Sequence, residues 1–309
     1  MDAENSSSSS SSESYASCGA LEEEEEGDAR SSSEAVVEDE TVVSESCSLP
    51  KHHWSNKTEK FKVRSETYLT DKKKVICDQA MFNLIGMDLI EVDQPVNDLA
   101  KNLPGGFAQR YLEREGPKPF LFTVHFQLPG NKNLAFIAYF AAKTGVLEAS
   151  TPFAALFDKF INGSDEFRQS RFKFIPRVGK GPVLLKTMVG TTPAILGNKL
   201  RQTYYSREGY FEVCVDVGSS CIGGRLLKLV KGCLTTLAFE MCFLLEGQTE
   251  AELPEVCLGN LRFVNLDLNM AQKVEITEGV AVDRNQKVAV ADEEKLENEQ
   301  PAEVRQEPA

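Results

Sequence analysis

The run Asp165-Glu166-Phe167-Arg168-Gln169-Ser170-Arg171-Phe172-Lys173 places Arg168, Arg171 and Lys173 within one short stretch. After a helix-ending glycine, Asp165 can cap a turn that Phe167 anchors, and the three cations then project from a loop-to-strand segment. An arginine fork matches phosphate geometry, so this segment is a candidate contact for an anion or a lipid headgroup. The competing reading is internal, with Asp165 or Glu166 pairing with Arg168 or Arg171. A second candidate is Ser219-Ser220 at the start of a helix, where free N–H groups attract anions and Gly223-Gly224 allow close approach. Arg225, Lys228 and Lys231 add a basic stripe to that helix, which a solvated amphipathic face would also carry.

Other chemistry is excluded by pattern. Gly179-Lys180-Gly181-Pro182 lacks the leading glycine and the Ser or Thr of a phosphate-binding loop. Gly190 and Gly197 are wrongly spaced, and Pro193 stands where a cradling N–H would be wanted. No G-x-S-x-G elbow is present. His125 falls mid-strand with no obvious nucleophile, so it reads as a structural residue. The eight cysteines form no C-x-x-C pair and none clusters with histidine at zinc-ligand spacing. The expectation is a non-enzymatic domain with no catalytic residue, metal or cofactor.

The elements that must position these residues follow from periodicity. Phe120, Phe122, Val124, Phe126 and Leu128 alternate with Leu121, Thr123, His125 and Gln127, a half-buried strand. Pro129-Gly130-Asn131 turns the chain, and Leu134–Ala142 returns with both faces apolar, so something must cover each face. Further strands are expected at Phe82–Ile90, Arg171–Ile175, Val183–Val189, Leu200–Tyr205, Tyr210–Val217, Leu237–Leu245 and Arg262–Leu268. Thr151 and Pro152 start an amphipathic helix through Phe153, Leu156, Phe157 and Phe160, closed by Gly163 as a C′ residue. A second helix starts at Ser219 or Ser220 and runs towards Leu234, with shorter helices at 107–115 and 249–259. Few β–α crossovers and many strands predict an α+β fold, a mainly antiparallel curved sheet with a few packed helices.

Charge divides the chain into three. Residues 1–50 carry 14 acidic side chains and 1 basic one, and residues 271–309 carry 10 and 5. Residues 51–270 are then left at +5 within a formal total of −13. Both acidic ends, 1–50 and 271–309, lack the apolar content to offset their conformational entropy and are expected to be disordered tails around one domain, 51–270. The tails either keep the protein soluble or compete with an anionic partner for the basic body. With no apolar leader, no bilayer-length apolar run and no paired cysteines, the expected setting is cytoplasmic, peripheral at a membrane at most, and not secreted. No nucleic-acid partner is expected.

The order of residues in several separated stretches resembles one plant family. Asp165-Glu166-Phe167-Arg168, Ser170-Arg171, Lys173 and Ile175-Pro176 form the densest match. Trp54, Phe61-Lys62-Val63-Arg64, Tyr68-Leu69 and Asp71-Lys72-Lys73-Lys74 precede it, with Gln127-Leu128-Pro129-Gly130 between. Gly190-Thr191-Thr192-Pro193, Leu196-Gly197-Asn198-Lys199-Leu200 and Leu253-Pro254-Glu255 follow. From about Trp54 to about Asp267 the chain resembles the Enhanced Disease Resistance 2 C-terminal domain. In longer relatives that domain follows a pleckstrin-homology and a START lipid-transfer module, in negative regulators of defence and cell death. The resemblance therefore implies a lipid- or membrane-associated regulatory domain with an anionic lipid or apolar ligand. The alternative is a cytosolic adaptor with a protein partner, regulated by phosphorylation of Ser10-Ser11-Ser12-Glu13 and Ser31-Ser32-Ser33-Glu34.

Overall fold

The computed structural model describes residues 47–277 and 280–283, so most of both expected tails lies outside the described residues. In chain order the strands are β1 (Trp54–Ser55), β2 (Phe61–Arg64), β3 (Lys74–Cys77), β4 (Phe82–Val92), β5 (Leu121–Leu128), β6 (Asn133–Ala142) and β7 (Phe172–Lys180). There follow β8 (Ala194–Ile195), β9 (Arg201–Arg207), β10 (Tyr210–Asp216), β11 (Ala238–Leu245), β12 (Cys257–Val264), β13 (Gln272–Thr277) and β14 (Val280–Asp283). The longer helices are α1 (Phe107–Glu115), α2 (Pro152–Asn162), α3 (Asp165–Arg171), α4 (Val183–Val189) and α5 (Cys221–Lys231).

These strands form a seven-stranded sheet in the order β14-β13-β4-β6-β5-β10-β9 and a five-stranded sheet in the order β1-β12-β11-β7-β8, with β2–β3 a separate hairpin. Pairing is antiparallel except for β10 on β5 and β13 on β4. The fold is thus α+β and mainly antiparallel, built from two facing sheets.

The two apolar faces of β6 explain the layering. Phe136, Ala138 and Phe140 turn one way and enter the core between the sheets, where Phe140 meets Phe243 edge-on at 6.0 Å and Phe136 meets Phe263 at 5.3 Å. The approach is close: a Cβ on Gly259 of β12 would lie 2.6 Å from the Phe140 ring. Ala135, Ile137 and Tyr139 turn the other way and are covered by Phe107, Ala108 and Tyr111 of α1 and by Leu99 and Leu103. The outer face of the five-stranded sheet, through Ile175, Cys242 and Leu244, is covered by Phe61 and Val63 of the β2–β3 hairpin.

Several local expectations are corrected. Val183–Val189 is a helix, not a strand: Pro182 precedes it, Gly190 ends it at φ 60°, and only Leu185 within it is buried. A run this short does not separate helix from strand by composition. The expected helix at 249–259 is one turn, Glu250–Glu252, after which β12 begins, and of the expected strand Arg262–Leu268 only the part up to Val264 belongs to that strand, with Leu268 starting a separate turn. Thr151 does cap α2, accepting from the Ala154 N–H at 3.2 Å. Gly163 ends it in extended backbone rather than as a left-handed C′ residue; glycine fits there because a Cβ would lie 2.4 Å from the Lys159 carbonyl. Residues just outside 51–270 also make contacts with the body. Buried Leu49 accepts the Trp54 indole N–H at 3.0 Å, the Ser48 N–H donates to Asp88 at 2.6 Å, and Gln272–Val274 pair with β4.

Candidate functional site

The first sequence candidate is organised inward. Asp165–Arg171 is helical, capped by the Ser164 hydroxyl, not by Asp165. Arg168 donates to the Phe160 carbonyl at 2.9 Å, to the Ile161 carbonyl at 2.5 Å and to Asp165 at 2.7 Å, tying the end of α2 to α3. Arg171 is buried and donates to Glu252 at 2.6 Å and to the Glu246 carbonyl at 2.8 Å. Lys173, buried on β7, pairs with Glu255 and with Glu246 at 3.3 Å. Arg64 of β2 joins the cluster through Glu246 at 3.1 Å. Three stretches of the family resemblance, around Arg64, Arg171 and Glu255, thereby meet in one ionic cluster that fastens the β2 hairpin to the five-stranded sheet. Arg168, Arg171 and Lys173 are each engaged with partners in the protein itself. Phe167 is half-buried against the core, under the Arg171 guanidinium at 4.9 Å.

Burial alone would raise the Glu252 carboxyl. The Gln248 amide and the Arg171 guanidinium outweigh it and hold the group below the ordinary carboxylate range. A depressed carboxyl stabilises the fold above its unfolded pKa and loses that contribution as pH falls through the lower folded value. The melting temperature is expected to fall below about pH 4.3, and to fall less steeply in Arg171→Ala. Equal slopes in the two proteins would reject this assignment.

The second candidate remains open to solvent. The Ser220 hydroxyl caps α5 by accepting from the Gly223 N–H at 3.4 Å. Ser219 is also used internally, donating to the Asp216 carbonyl at 2.6 Å and accepting from the Arg201 N–H at 2.8 Å. Arg225 and Lys228 are exposed, and the half-buried Lys231 donates to the Pro129 carbonyl at 3.0 Å. Beneath α5 lies a cavity of about 180 Å³ between the sheets. Leu89, Phe126 and Phe136 wall it on one side, Phe174, Phe239 and Phe263 on the other, and Leu226, Leu227 and Val230 roof it. Among the described residues Lys231 is the one charged side chain in its lining. Next to it runs an open groove of about 750 Å³ that shares Leu227, Lys231 and Leu268 with the cavity and adds Arg225, Lys228 and Lys132. Loss of hydration lowers the Lys231 pKa from the usual lysine value.

Helix α4 lies beside α5. Its Val183, Leu184 and Met188 are 79%, 63% and 56% exposed, unusual for large apolar side chains on consecutive turns. Lys180 and Lys186 stand exposed next to them. Sequence reading missed this face because it took the segment for a strand.

Histidine His125 is fully buried on β5 and bonds through Nδ1 to Glu212 of β10 at 3.1 Å. Glu212 also accepts from the Tyr210 hydroxyl at 2.7 Å and the Leu99 N–H at 2.8 Å. With Cys214 these residues offer potential metal-ligand atoms within 4.8 Å of one another, a grouping that sequence spacing did not reveal. The hydrogen bonds made by Glu212 join β5, β10 and the segment before α1, while the buried His125 Nε2 has no hydrogen-bond partner among the described residues. Among the described residues no helix is long and apolar enough to cross a membrane.

Residues 54–267 match the family model described as Protein ENHANCED DISEASE RESISTANCE 2, C-terminal. A protein of Arabidopsis thaliana, Protein ENHANCED DISEASE RESISTANCE 2-like, is 33% identical over 211 residues, which cover 68% of this chain and 28% of that protein. The match thus spans little more than a quarter of that relative. No solved structure matches.

Proposed function

We propose that this chain, which belongs to the ENHANCED DISEASE RESISTANCE 2 C-terminal family, is a non-catalytic regulatory domain that associates with anionic lipid surfaces in plant defence or cell-death signalling. The observation that carries this reading is the exposed apolar face of α4, Val183, Leu184 and Met188, with exposed Lys180 and Lys186 next to it in the chain and exposed Arg225 and Lys228 on the neighbouring helix α5. Apolar side chains that enter the headgroup boundary, flanked by cations that meet anionic heads, are how a peripheral protein holds a bilayer. The charge distribution supports regulation of this contact, because residues 1–50 place a net −13 on a chain whose body from 51 to 270 is +5.

Sedimentation with phosphatidylserine vesicles tests it. The full chain is expected to bind weakly at low salt and to release as salt screens the contact. A chain lacking residues 1–46 is expected to bind more tightly. Leu184→Asp, at an exposed position, is expected to weaken binding several-fold with an unchanged melting temperature. If neither the full nor the shortened chain sediments at low salt, surface association is rejected and the cytosolic adaptor takes its place.

A further inference from the structure

We propose that the cavity under α5 holds the end of a single acyl chain whose anionic head is met by Lys231 at the cavity mouth. This rests on the lipid reading for the class of ligand, but it concerns an internal site and not the surface contact of α4. The cavity lining is apolar apart from Lys231, so it offers an alkyl chain contacts without stranding a polar group. At about 180 Å³ it is close to cavities known to take one benzene, room for roughly six carbons of one chain and not for two chains. The rest of a longer chain and its head would continue into the groove that shares Leu227 and Lys231.

Charge selects the head. The Lys231 ammonium spends one of its three donors on the Pro129 carbonyl and pairs with no carboxylate among the described residues. No side chain of Gly130 shields it; a Cβ there would lie 3.1 Å from Nζ. Arg225 and Lys228 extend the positive wall along the groove. A partly dehydrated ammonium gains more from an anion than from a neutral hydroxyl, which predicts discrimination between chains of equal length by their heads.

Calorimetric titration of the full chain with decanoate, decyl phosphate and decanol, each below its micelle concentration, tests this. Both anions are expected to bind about tenfold or more tightly than decanol, the scale of a charge-assisted hydrogen bond. Tighter binding of decyl phosphate would place the head among Arg225 and Lys228, and tighter binding of decanoate would place it at Lys231 alone. From butanoate to heptanoate, affinity should rise by up to about fourfold per methylene, and it should flatten for longer chains once the cavity is full. Lys231→Met keeps the stem that lines the cavity and is expected to abolish the preference for decanoate over decanol. Leu227→Trp is expected to weaken all three ligands while the protein still melts cooperatively. Equal affinity for acid and alcohol, a preference that survives Lys231→Met, or no binding of any of the three overturns the proposal. Vesicle sedimentation of the same protein separates the two ideas. Sedimentation without decanoate binding sinks only the internal site, and decanoate binding without sedimentation sinks only the surface reading.

Discussion

Arg171→Ala is expected to lower unfolding stability by about 3–5 kcal/mol, the scale for breaking a buried pair by removing one partner, and to leave vesicle binding unchanged. Arg171 is 8% exposed, and its guanidinium holds Glu252 at 2.6 Å and the Glu246 carbonyl at 2.8 Å. Without it Glu252, itself 6% exposed, keeps its burial and loses its cation. The Gln248 and Thr249 amides still donate to that carboxylate, at 2.9 and 3.2 Å, which places the expected loss at the lower end of the range. Denaturant unfolding measures the loss and sedimentation measures the binding. Unchanged stability with lost vesicle binding would reverse the assignment and return Arg171 to the lipid-facing residues. Arg225, exposed on α5, gives the opposite pattern in the same two measurements: little change in stability and weaker binding.

The contrast between Arg171 and Arg225 also marks what the sequence could convey. Local pairing was legible for Arg168, whose partner Asp165 is three residues away. The partner of Arg171 is 81 residues downstream, and that of Lys173 is 82, so no window of neighbouring residues contains them. Periodicity located the β5–β6 hairpin and showed that β6 needed cover on both sides, because the side-chain alternation of a strand is written directly in residue order. The identity of the cover was not, since α1 and the five-stranded sheet are set by topology. The cavity is hidden for the same reason. Its walls come from β4, β5 and β6 on one sheet and from β7, β11 and β12 on the other, and each wall residue alone looks like ordinary core. Helix α5 was legible through its Ser220 cap and apolar spacing, so Lys231 was named before its place in the lining of both the cavity and the groove could be known. The exposed face of α4 was lost because seven apolar-rich residues fit either period.

Phe243→Ala is expected to cost about 3–5 kcal/mol, because the ring joins the two sheets at the centre of the molecule. It is fully buried on β11 and stacks on Phe172 at 5.8 Å with planes 6° apart. Phe174 lies at 5.9 Å from the same sheet. Across the interface Phe140 of β6 presents its edge at 6.0 Å and 73°, and Phe126 of β5 approaches at 6.1 Å. Removing the ring therefore deletes contacts to both sheets at once. Neither can close the gap by a local shift, because each strand is held by ladder bonds to neighbours on both sides. For a body of this size the loss corresponds to a fall of roughly 10 °C in melting temperature. Phe243→Leu, which keeps most of the volume, should lose less than half as much. Two of the rings around Phe243, Phe126 and Phe174, also wall the cavity under α5. The void left by Phe243→Ala therefore adjoins that cavity, and decanol should bind the variant at least as well as the parent and recover part of the lost stability on binding. A loss below about 1 kcal/mol would mean that the ring is not packed between two sheets. A full loss with no recovery by decanol would separate the void from the cavity and keep only the packing argument.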